Sequence, residues 1–136
     1  MTSENTESLR RAYEGFAQKD LAAVLSVMSS DIEWDATDAL AHTGVYHGHE
    51  GVIDYLRGLS GVWEEFELQP DQFVEAADGR NVMVLGVTRG RLVETGEHVE
   101  ARFAHIGEVK DGKIVKVKIC LDRAAAEQAL QKEQTA

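Results

Sequence analysis

Three short turn signals divide the second half of the chain into segments of strand-like composition. Asp78-Gly79, Thr95-Gly96 and Asp111-Gly112 separate runs in which β-branched and aromatic residues are frequent. An Asp-Gly pair between two such runs is typical of a tight hairpin, because both residues tolerate a positive φ. The pattern therefore predicts an antiparallel sheet, with strands at Trp63–Glu75, Asn81–Leu92, Val99–Val109 and Lys113–Leu121.

The first of these strands contains Pro70, the only proline in the chain. Proline lacks the backbone N–H that a central strand must donate, so it is confined to edge strands and bulges. We expect this strand to lie at an edge of the sheet or to carry a bulge.

The first half of the chain has helical periodicity instead. Four apolar residues recur at helical spacing and predict an amphipathic helix over about residues 3–17: Leu9, Ala12, Tyr13 and Phe16. Asp20 is a good N-cap for a second helix, whose apolar residues are Leu21, Val24, Leu25 and Met28. A third helix is predicted from about His49 to Leu59, with Gly58 and Gly61 ending it.

The remaining segments complete an α+β arrangement. Asp31–Ala36 alternates and predicts a short strand, residues 37–48 have no period and predict a loop, and Asp122 caps a short helix at Ala124–Leu130 with a frayed tail. The sequence predicts one domain over residues 1–136, with helices at about 3–59, a sheet at about 63–121 and a C-terminal helix at about 123–131.

Composition excludes several classes of function. The chain has 136 residues, 14 basic and 24 acidic, and a net charge of −10, which disfavours binding to nucleic acid and to anionic membranes. No apolar run approaches the ~20 residues of a membrane span. The polar, acidic N-terminus is unlike a secretory signal. Cys120 is the only cysteine and cannot form an internal disulfide, so we expect a reducing, cytoplasmic location.

Three motifs in order resemble a known family. They are Gly44-Val-Tyr-His-Gly-His-Glu-Gly-Val, then Thr95-Gly, then Phe103-Ala-His with Lys110-Asp-Gly-Lys-Ile-Val. Together they resemble the SnoaL-like polyketide cyclase family of the nuclear-transport-factor-2-like superfamily. The resemblance implies a cone-shaped fold in which a curved, mostly antiparallel sheet wraps around the three N-terminal helices. It also implies an internal apolar pocket and a homodimer formed through the outer face of the sheet.

The resemblance places apolar or small residues at the catalytic positions of better-understood relatives. Ile119 stands where limonene epoxide hydrolases have an aspartate that acts as general acid. Gly86 and Thr88 stand where the same enzymes have the Arg and Asp partners of that aspartate. Trp34 and Ala36 match the residues that hold the hydrolytic water. Ala36 also matches the aspartate base of ketosteroid isomerase, whose tyrosine donor aligns with Ala12. Neither mechanism can therefore be transferred.

His105 is the polar residue expected to remain inside the pocket. It alternates with Ala101 and Phe103 onto the strand face that meets Val117 and Ile119. A neutral histidine in an apolar pocket can exchange a proton with a ligand, and burial lowers its pKa. Alternatively, His105 bonds a neighbouring tyrosine or backbone group and fills space. The other residues expected to line the pocket are Trp34, Ala36, Tyr46, Tyr55, Leu59, Gly86, Thr88, Phe103, Val117 and Ile119.

A second cluster of histidines lies in the segment predicted as a loop. His42, His47 and His49 fall within eight residues, beside acidic side chains. Imidazole and carboxylate groups bind metals, but this spacing matches no established metal-site pattern. We expect a solvated loop and no metal or other cofactor.

The sequence leaves three functions open. The chain is a cofactor-independent isomerase or cyclase that uses His105 for proton transfer on a small apolar substrate, a non-catalytic protein that binds such a ligand, or a structural dimer with a vestigial pocket.

Overall fold

The computed structural model describes residues 4–37, 44–77, 79–120 and 122–135, with the side chains up to residue 130. Four helices lie in this part of the chain: α1 (Glu4–Ala17), α2 (Leu21–Ser26), α3 (Gly48–Val62) and α4 (Arg123–Thr135). The six strands are β1 (Met28–Asp35), β2 (Val45–His47), β3 (Trp63–Glu75), β4 (Asn81–Leu92), β5 (His98–Lys110) and β6 (Lys113–Cys120).

The six strands form one open, curved sheet in the order β2-β1-β6-β5-β4-β3. All neighbouring pairs are antiparallel except β1 and β6, which run parallel. The parallel pair arises because the chain passes from β1 through α3 and four other strands, β2, β3, β4 and β5, before it returns as β6. The α+β class and the mostly antiparallel sheet predicted from the sequence are confirmed.

The hairpins follow the predicted turn chemistry. Asp111 (φ 52°) and Gly112 (φ 77°) both have positive φ and join β5 to β6, as expected for the favoured hairpin turn. β3 is an edge strand, and its register with β4 shifts between Pro70 and Gln72. Both consequences expected of Pro70 are therefore present.

Two segments differ from the sequence prediction. Residues 45–47, placed in a loop, form β2 and pair with β1 through Trp34 and Tyr46. Three residues are too few to show alternation, so only the partner strand reveals them. Met28, which the sequence assigned to the second helix, instead begins β1 and pairs with Ile114 of β6.

The glycines predicted to end the third helix do not end it. α3 continues through Gly58 and Gly61 to Val62, and neither glycine has a positive φ. A helix-ending glycine normally adopts the left-handed conformation. The stop comes instead from Trp63, whose extended backbone begins β3 while its N–H bonds the Leu59 carbonyl.

Apolar layers cover both faces of the sheet. On the inner face, α1, α2 and α3 bury a cluster around Leu9, Ile32, Val52 and Ile114. On the outer face, Ala126 and Leu130 of α4 pack on five sheet residues, which are Met83, Leu85, Ala104, Ile106 and Cys120. No helix among the described residues combines the length and apolar composition needed to cross a membrane.

Candidate functional site

An internal cavity of about 290 Å³ lies between the helices and the inner face of the sheet. Its walls come from α1, α2, α3 and strands β1, β3, β4, β5 and β6, and most of its lining side chains are aliphatic or aromatic. No aspartate or glutamate among the described residues lines it. The space is therefore suited to a largely apolar molecule.

Strand alternation brings most of the predicted pocket residues to this cavity. β5 presents Ala101, Phe103 and His105 to it, and the register pairs His105 with Ile119 of β6. Of the residues expected from the sequence, the cavity is lined by Trp34, Tyr55, Leu59, Thr88, Phe103, His105, Val117 and Ile119.

Gly86 does not line the cavity, although it was expected to. A Cβ atom at this position would lie 2.7 Å from the Phe103 ring and would also meet the Gln69 carbonyl oxygen. The paired Phe103 ring covers the glycine, because the residues face each other across β4 and β5. At this point the cavity is lined by the Phe103 ring.

Ala36 and Tyr46 also lie outside the cavity lining. Ala36 is fully buried just after β1, and its N–H bonds the Gly44 carbonyl 2.7 Å away. The Tyr46 ring packs edge-on against Tyr55, with 5.4 Å between ring centroids. Tyr46 thus supports a wall of the cavity from behind.

The polar centre of the cavity is a hydrogen-bonded pair, Tyr13 and His105. The Tyr13 hydroxyl oxygen lies 2.7 Å from Nδ1 of His105. The two rings are nearly parallel, at 11°. Phe103 stacks on the imidazole with 4.4 Å between ring centroids. The imidazole is therefore held from two sides, and Nε2 is the ring nitrogen left for a ligand.

The sequence prediction did not include Tyr13 among the site residues. The position that aligns with a tyrosine of a distant relative is Ala12, whereas the tyrosine of this chain is one residue later. Tyr13 shares a helical face with Leu9 and Phe16, and all three line the cavity. This shared helical face indicated that Tyr13 belongs to the core, but the helical pattern does not show that the face contacts β5.

Burial keeps the pair uncharged. It lowers the pKa of His105 from 6.5 to about 4, because the imidazolium loses its hydration. Burial likewise raises the pKa of the Tyr13 phenol. It also raises the pKa of Tyr55 to about 12. At neutral pH these three groups are neutral donors and acceptors.

Two further polar groups border the cavity. The indole N–H of Trp34 is buried and has the Tyr55 hydroxyl as its hydrogen-bonding neighbour, although the two groups meet outside ideal hydrogen-bond geometry. Thr88 is 8% exposed and contributes its side chain to the lining on β4. A ligand oxygen near either group would find a hydrogen-bond donor.

A surface groove of about 770 Å³ adjoins the cavity. It runs between the C-terminal halves of α1 and α3, the start of α2 and the beginning of β3. Groove and cavity share the lining residues Phe16, Val24, Leu56, Leu59, Trp63, Phe66 and Leu68. At this shared apolar boundary the cavity lies next to the surface groove.

The histidines of the 42–49 segment form no metal site in the described part of the chain. His49 Nε2 lies 3.0 Å from the Met28 carbonyl oxygen, so its ring ties α3 to β1. His47 is exposed at the N-cap of α3 and makes no side-chain capping bond. His42 lies outside the described residues. No group of three described His, Cys, Asp or Glu side chains is placed to hold a metal ion.

Residues 9–117 match the SnoaL-like domain family, which confirms the resemblance drawn from the sequence motifs. No curated protein matches the chain. An NTF2-like protein of unknown function from Burkholderia pseudomallei has a TM-score of 0.79 at 28% identity, over 96% of this chain and 97% of that chain.

Two other solved structures are similar over most of their length. TerC, co-crystallised with polyporic acid, has a TM-score of 0.77 at 26% identity, over 95% of this chain and 99% of that chain. A candidate polyketide cyclase from Xanthomonas campestris pv. campestris has a TM-score of 0.74 at 19% identity, over 85% and 88%. At that identity the second likeness concerns the fold alone.

Proposed function

Because this chain belongs to the SnoaL-like domain family, we propose that its cavity binds a small, largely apolar molecule with a carbonyl or enol oxygen, on which His105 transfers a proton. The reaction would be of the isomerase or cyclase type and would need no cofactor. The observation that carries the proposal is the hydrogen bond between buried His105 and half-buried Tyr13 inside a largely apolar cavity.

The size and walls of the cavity support a compact, flat ligand. Its volume of about 290 Å³ lies at the lower end of the range for small-molecule sites. Trp34, Tyr55 and Phe103 contribute aromatic rings to its walls, and aromatic rings pack favourably against one another.

The chemistry of His105 supports proton transfer. Its Nδ1 is engaged by Tyr13, which leaves Nε2 to accept a proton from an acidic carbon or donate one to an oxygen. At neutral pH its low pKa of about 4 keeps the ring uncharged, so both functions are open to it.

One similar structure supports the ligand class. TerC, at 26% identity, was co-crystallised with polyporic acid. We therefore use polyporic acid as one probe, together with a β,γ-unsaturated octalone, a bicyclic ketone whose isomerisation to the conjugated enone is followed by ultraviolet absorbance.

The second candidate function is ligand binding without reaction. A histidine with a pKa of about 4 is a weak base, and Ile119 occupies a position that is acidic in epoxide hydrolases. Such a cavity could hold a ketone unchanged.

Thermal denaturation with each probe tests binding. A probe at one hundred times its Kd should stabilise the wild type by about 2.7 kcal/mol, and His105→Asn should reduce this shift. His98→Asn is the matched control, because His98 is an exposed histidine on the same strand. If neither probe shifts the wild type, both candidate functions fail for this ligand class.

Isomerisation of the octalone separates the two candidates. We expect the wild type to form the conjugated enone and His105→Asn to slow this at least about 100-fold, while His98→Asn retains the wild-type rate. A protein that octalone stabilises but that forms no product contradicts proton transfer and favours the binding function.

A further inference from the structure

We infer that Tyr13 and His105 act as one proton relay, in which the tyrosine hydroxyl exchanges a proton with the ligand oxygen while Nε2 of the histidine exchanges one with the ligand carbon. This inference rests on the proposed function and deepens it. It assigns a catalytic role to Tyr13. It also defines the substrate as an enolisable ketone with a second carbon, the γ-carbon of its dienol, that can accept the proton.

The geometry of the pair is that of a connected path. Tyr13 Oη and His105 Nδ1 are 2.7 Å apart, within the range of a strong hydrogen bond. The two rings are nearly parallel, at 11°, with 6.0 Å between their centroids. Both side chains line the cavity, so a ligand can reach the two ends of the path together.

The surroundings disfavour any step that leaves a charge behind. Besides the pair, the titratable or charged side chains that line the cavity are Tyr55, Arg102 and Cys120. The Arg102 guanidinium is largely exposed and pairs with Asp71 at 3.1 Å. If His105 acted alone, proton transfer would create an imidazolium–enolate ion pair. No carboxylate among the described lining residues would stabilise its imidazolium, and separating charge in an apolar site is unfavourable.

A relay avoids this charge. In the starting state Nδ1–H donates to the Tyr13 oxygen, and Nε2 is free. The ligand C–H bond breaks, and its proton moves to Nε2. At the same time the Nδ1 proton moves to Tyr13 Oη, and the Tyr13 proton moves to the carbonyl oxygen of the ligand. The C=O π bond opens as the enol C=C bond forms. Both residues remain neutral, and the imidazole has changed from one tautomer to the other.

The same path in reverse restores the protein. The enol O–H returns its proton to Tyr13, the tyrosine proton moves to Nδ1, and the Nε2 proton is delivered to the γ-carbon of the dienol. The double bond has then moved by one position and the starting tautomer is regenerated. No oxidant, reductant or metal enters the balance.

The pH dependence of kcat distinguishes the relay from catalysis by an ionised tyrosine. Since both groups stay neutral, kcat for the octalone should be constant from about pH 6 to pH 9. The fall on the acid side should follow protonation of His105, whose pKa is about 4. A base acting through an ionised tyrosine would instead gain rate steadily towards high pH.

Tyr13→Phe tests the relay, because it removes only the hydroxyl. We expect kcat for the octalone to fall at least about 100-fold with KM changed by less than about threefold. Tyr46→Phe is the matched control, since Tyr46 lies outside the cavity lining and should leave kcat unchanged. Circular dichroism and Tm establish that each variant is folded.

The wild type gives an independent measurement. Two exchangeable protons, on Tyr13 Oη and His105 Nδ1, move in the same step. In mixtures of H2O and D2O, kcat should therefore fall with a curved dependence on the deuterium fraction. This readout holds even if Tyr13→Phe fails to fold.

The outcomes separate the inference from the function on which it rests. If Tyr13→Phe keeps its kcat within about threefold of the wild type, or the isotope dependence is linear, the relay is wrong while His105 remains the proton-transfer residue. If the wild type is stabilised by octalone but does not isomerise it, both the relay and proton transfer by His105 are wrong.

Discussion

The neutral state of His105 is set by the groups around its ring. Phe103 stacks on one face, Tyr13 occupies Nδ1, and no carboxylate among the described residues lines the cavity. Water and carboxylates are what normally stabilise an imidazolium, so the protonated form is disfavoured here. This environment makes a measurable contribution to the stability of the protein.

We predict that His105 makes the protein less stable in acid. Its pKa falls from 6.5 to about 4 on folding, so between these values the unfolded chain binds more protons than the folded chain. The free energy of unfolding should therefore decrease as pH falls from about 6.5 to about 4, by about 3 kcal/mol from this group. Below the folded pKa the contribution should not grow further.

Urea denaturation of the wild type and His105→Asn between pH 7 and pH 4 measures this contribution. Acidic residues affect both proteins alike, so the difference between the two curves isolates the histidine. Parallel curves for the two proteins would contradict the buried, neutral state of His105.

Gly86 marks a place where two backbone segments and a ring meet. A methyl group there would lie 2.7 Å from the Phe103 ring and would also meet the Gln69 carbonyl. We predict that Gly86→Ala lowers the free energy of unfolding by about 1–3 kcal/mol, through overpacking, as measured by urea denaturation.

Gly61→Ala is the matched control for that substitution. A Cβ atom at Gly61 meets nothing within 4 Å, and the residue lies inside α3. Alanine has the higher helix propensity, so this variant should be unchanged or more stable by up to about 1 kcal/mol. Equal destabilisation by both variants would mean that the Phe103 contact is not the cause.

At the scale of elements, α1 positions the tyrosine of the candidate site. Its first turns are fixed to the ends of strands: Thr6 donates to Glu75 at 2.7 Å and Ser8 donates to the Gly112 carbonyl at 2.8 Å. Further along, Leu9 packs closely over Gly107 of β5. These contacts fix both the rotation and the distance of the helix, and so bring Tyr13 to His105.

Ser8→Ala should destabilise the protein by about 1 kcal/mol, because it leaves the Gly112 carbonyl without this donor. Ser8 is 5% exposed, so water replaces the hydroxyl poorly. Ser60→Ala is the control: Ser60 donates to the Arg57 carbonyl on an exposed part of α3 and should change stability by less than about 0.5 kcal/mol. Chemical denaturation that finds equal effects for both would contradict the anchoring role of Ser8.

At the scale of the whole molecule, the sheet separates two apolar layers with different roles. The inner layer encloses the cavity, whereas the outer layer holds α4 against β4, β5 and β6. Cys120 belongs to the outer layer and also lines the cavity; changes elsewhere in the outer layer should affect stability without affecting the cavity.

We predict that Leu130→Ala, in the outer layer, and Val117→Ala, in the cavity wall, each cost about 2 kcal/mol of stability. Only Val117→Ala should change the Kd of a cavity ligand, because Val117 lines the cavity and Leu130 does not. Thermal shifts with polyporic acid or octalone measure the difference. A changed Kd in Leu130→Ala would show that the layers are coupled.

The homodimer implied by the family resemblance stays a prediction. α4 covers the apolar part of the outer sheet face, and nearby outer positions carry exposed ion pairs such as Arg89–Glu100. Light scattering should give twice the chain mass of 15.0 kDa if the dimer forms. A mass of one chain would contradict it.

The sequence by itself determined the fold class and most of the elements. The β4 boundaries, the edge position of β3 and the Asp111-Gly112 hairpin follow from local patterns of two to thirteen residues. It also placed His105 on the inner face, because alternation along a strand is local. Each of these features depends on residues that are neighbours in the chain.

Only the tertiary structure decided which side chains complete the site. Tyr13 meets His105 across 92 residues of chain, Phe103 covers Gly86, and β2 exists because β1 lies beside it. Each of these contacts depends on the distance and rotation between packed elements, to within about one ångström. Periodicity fixes which face an element presents but not the partner it meets, because packing of distant segments sets that distance.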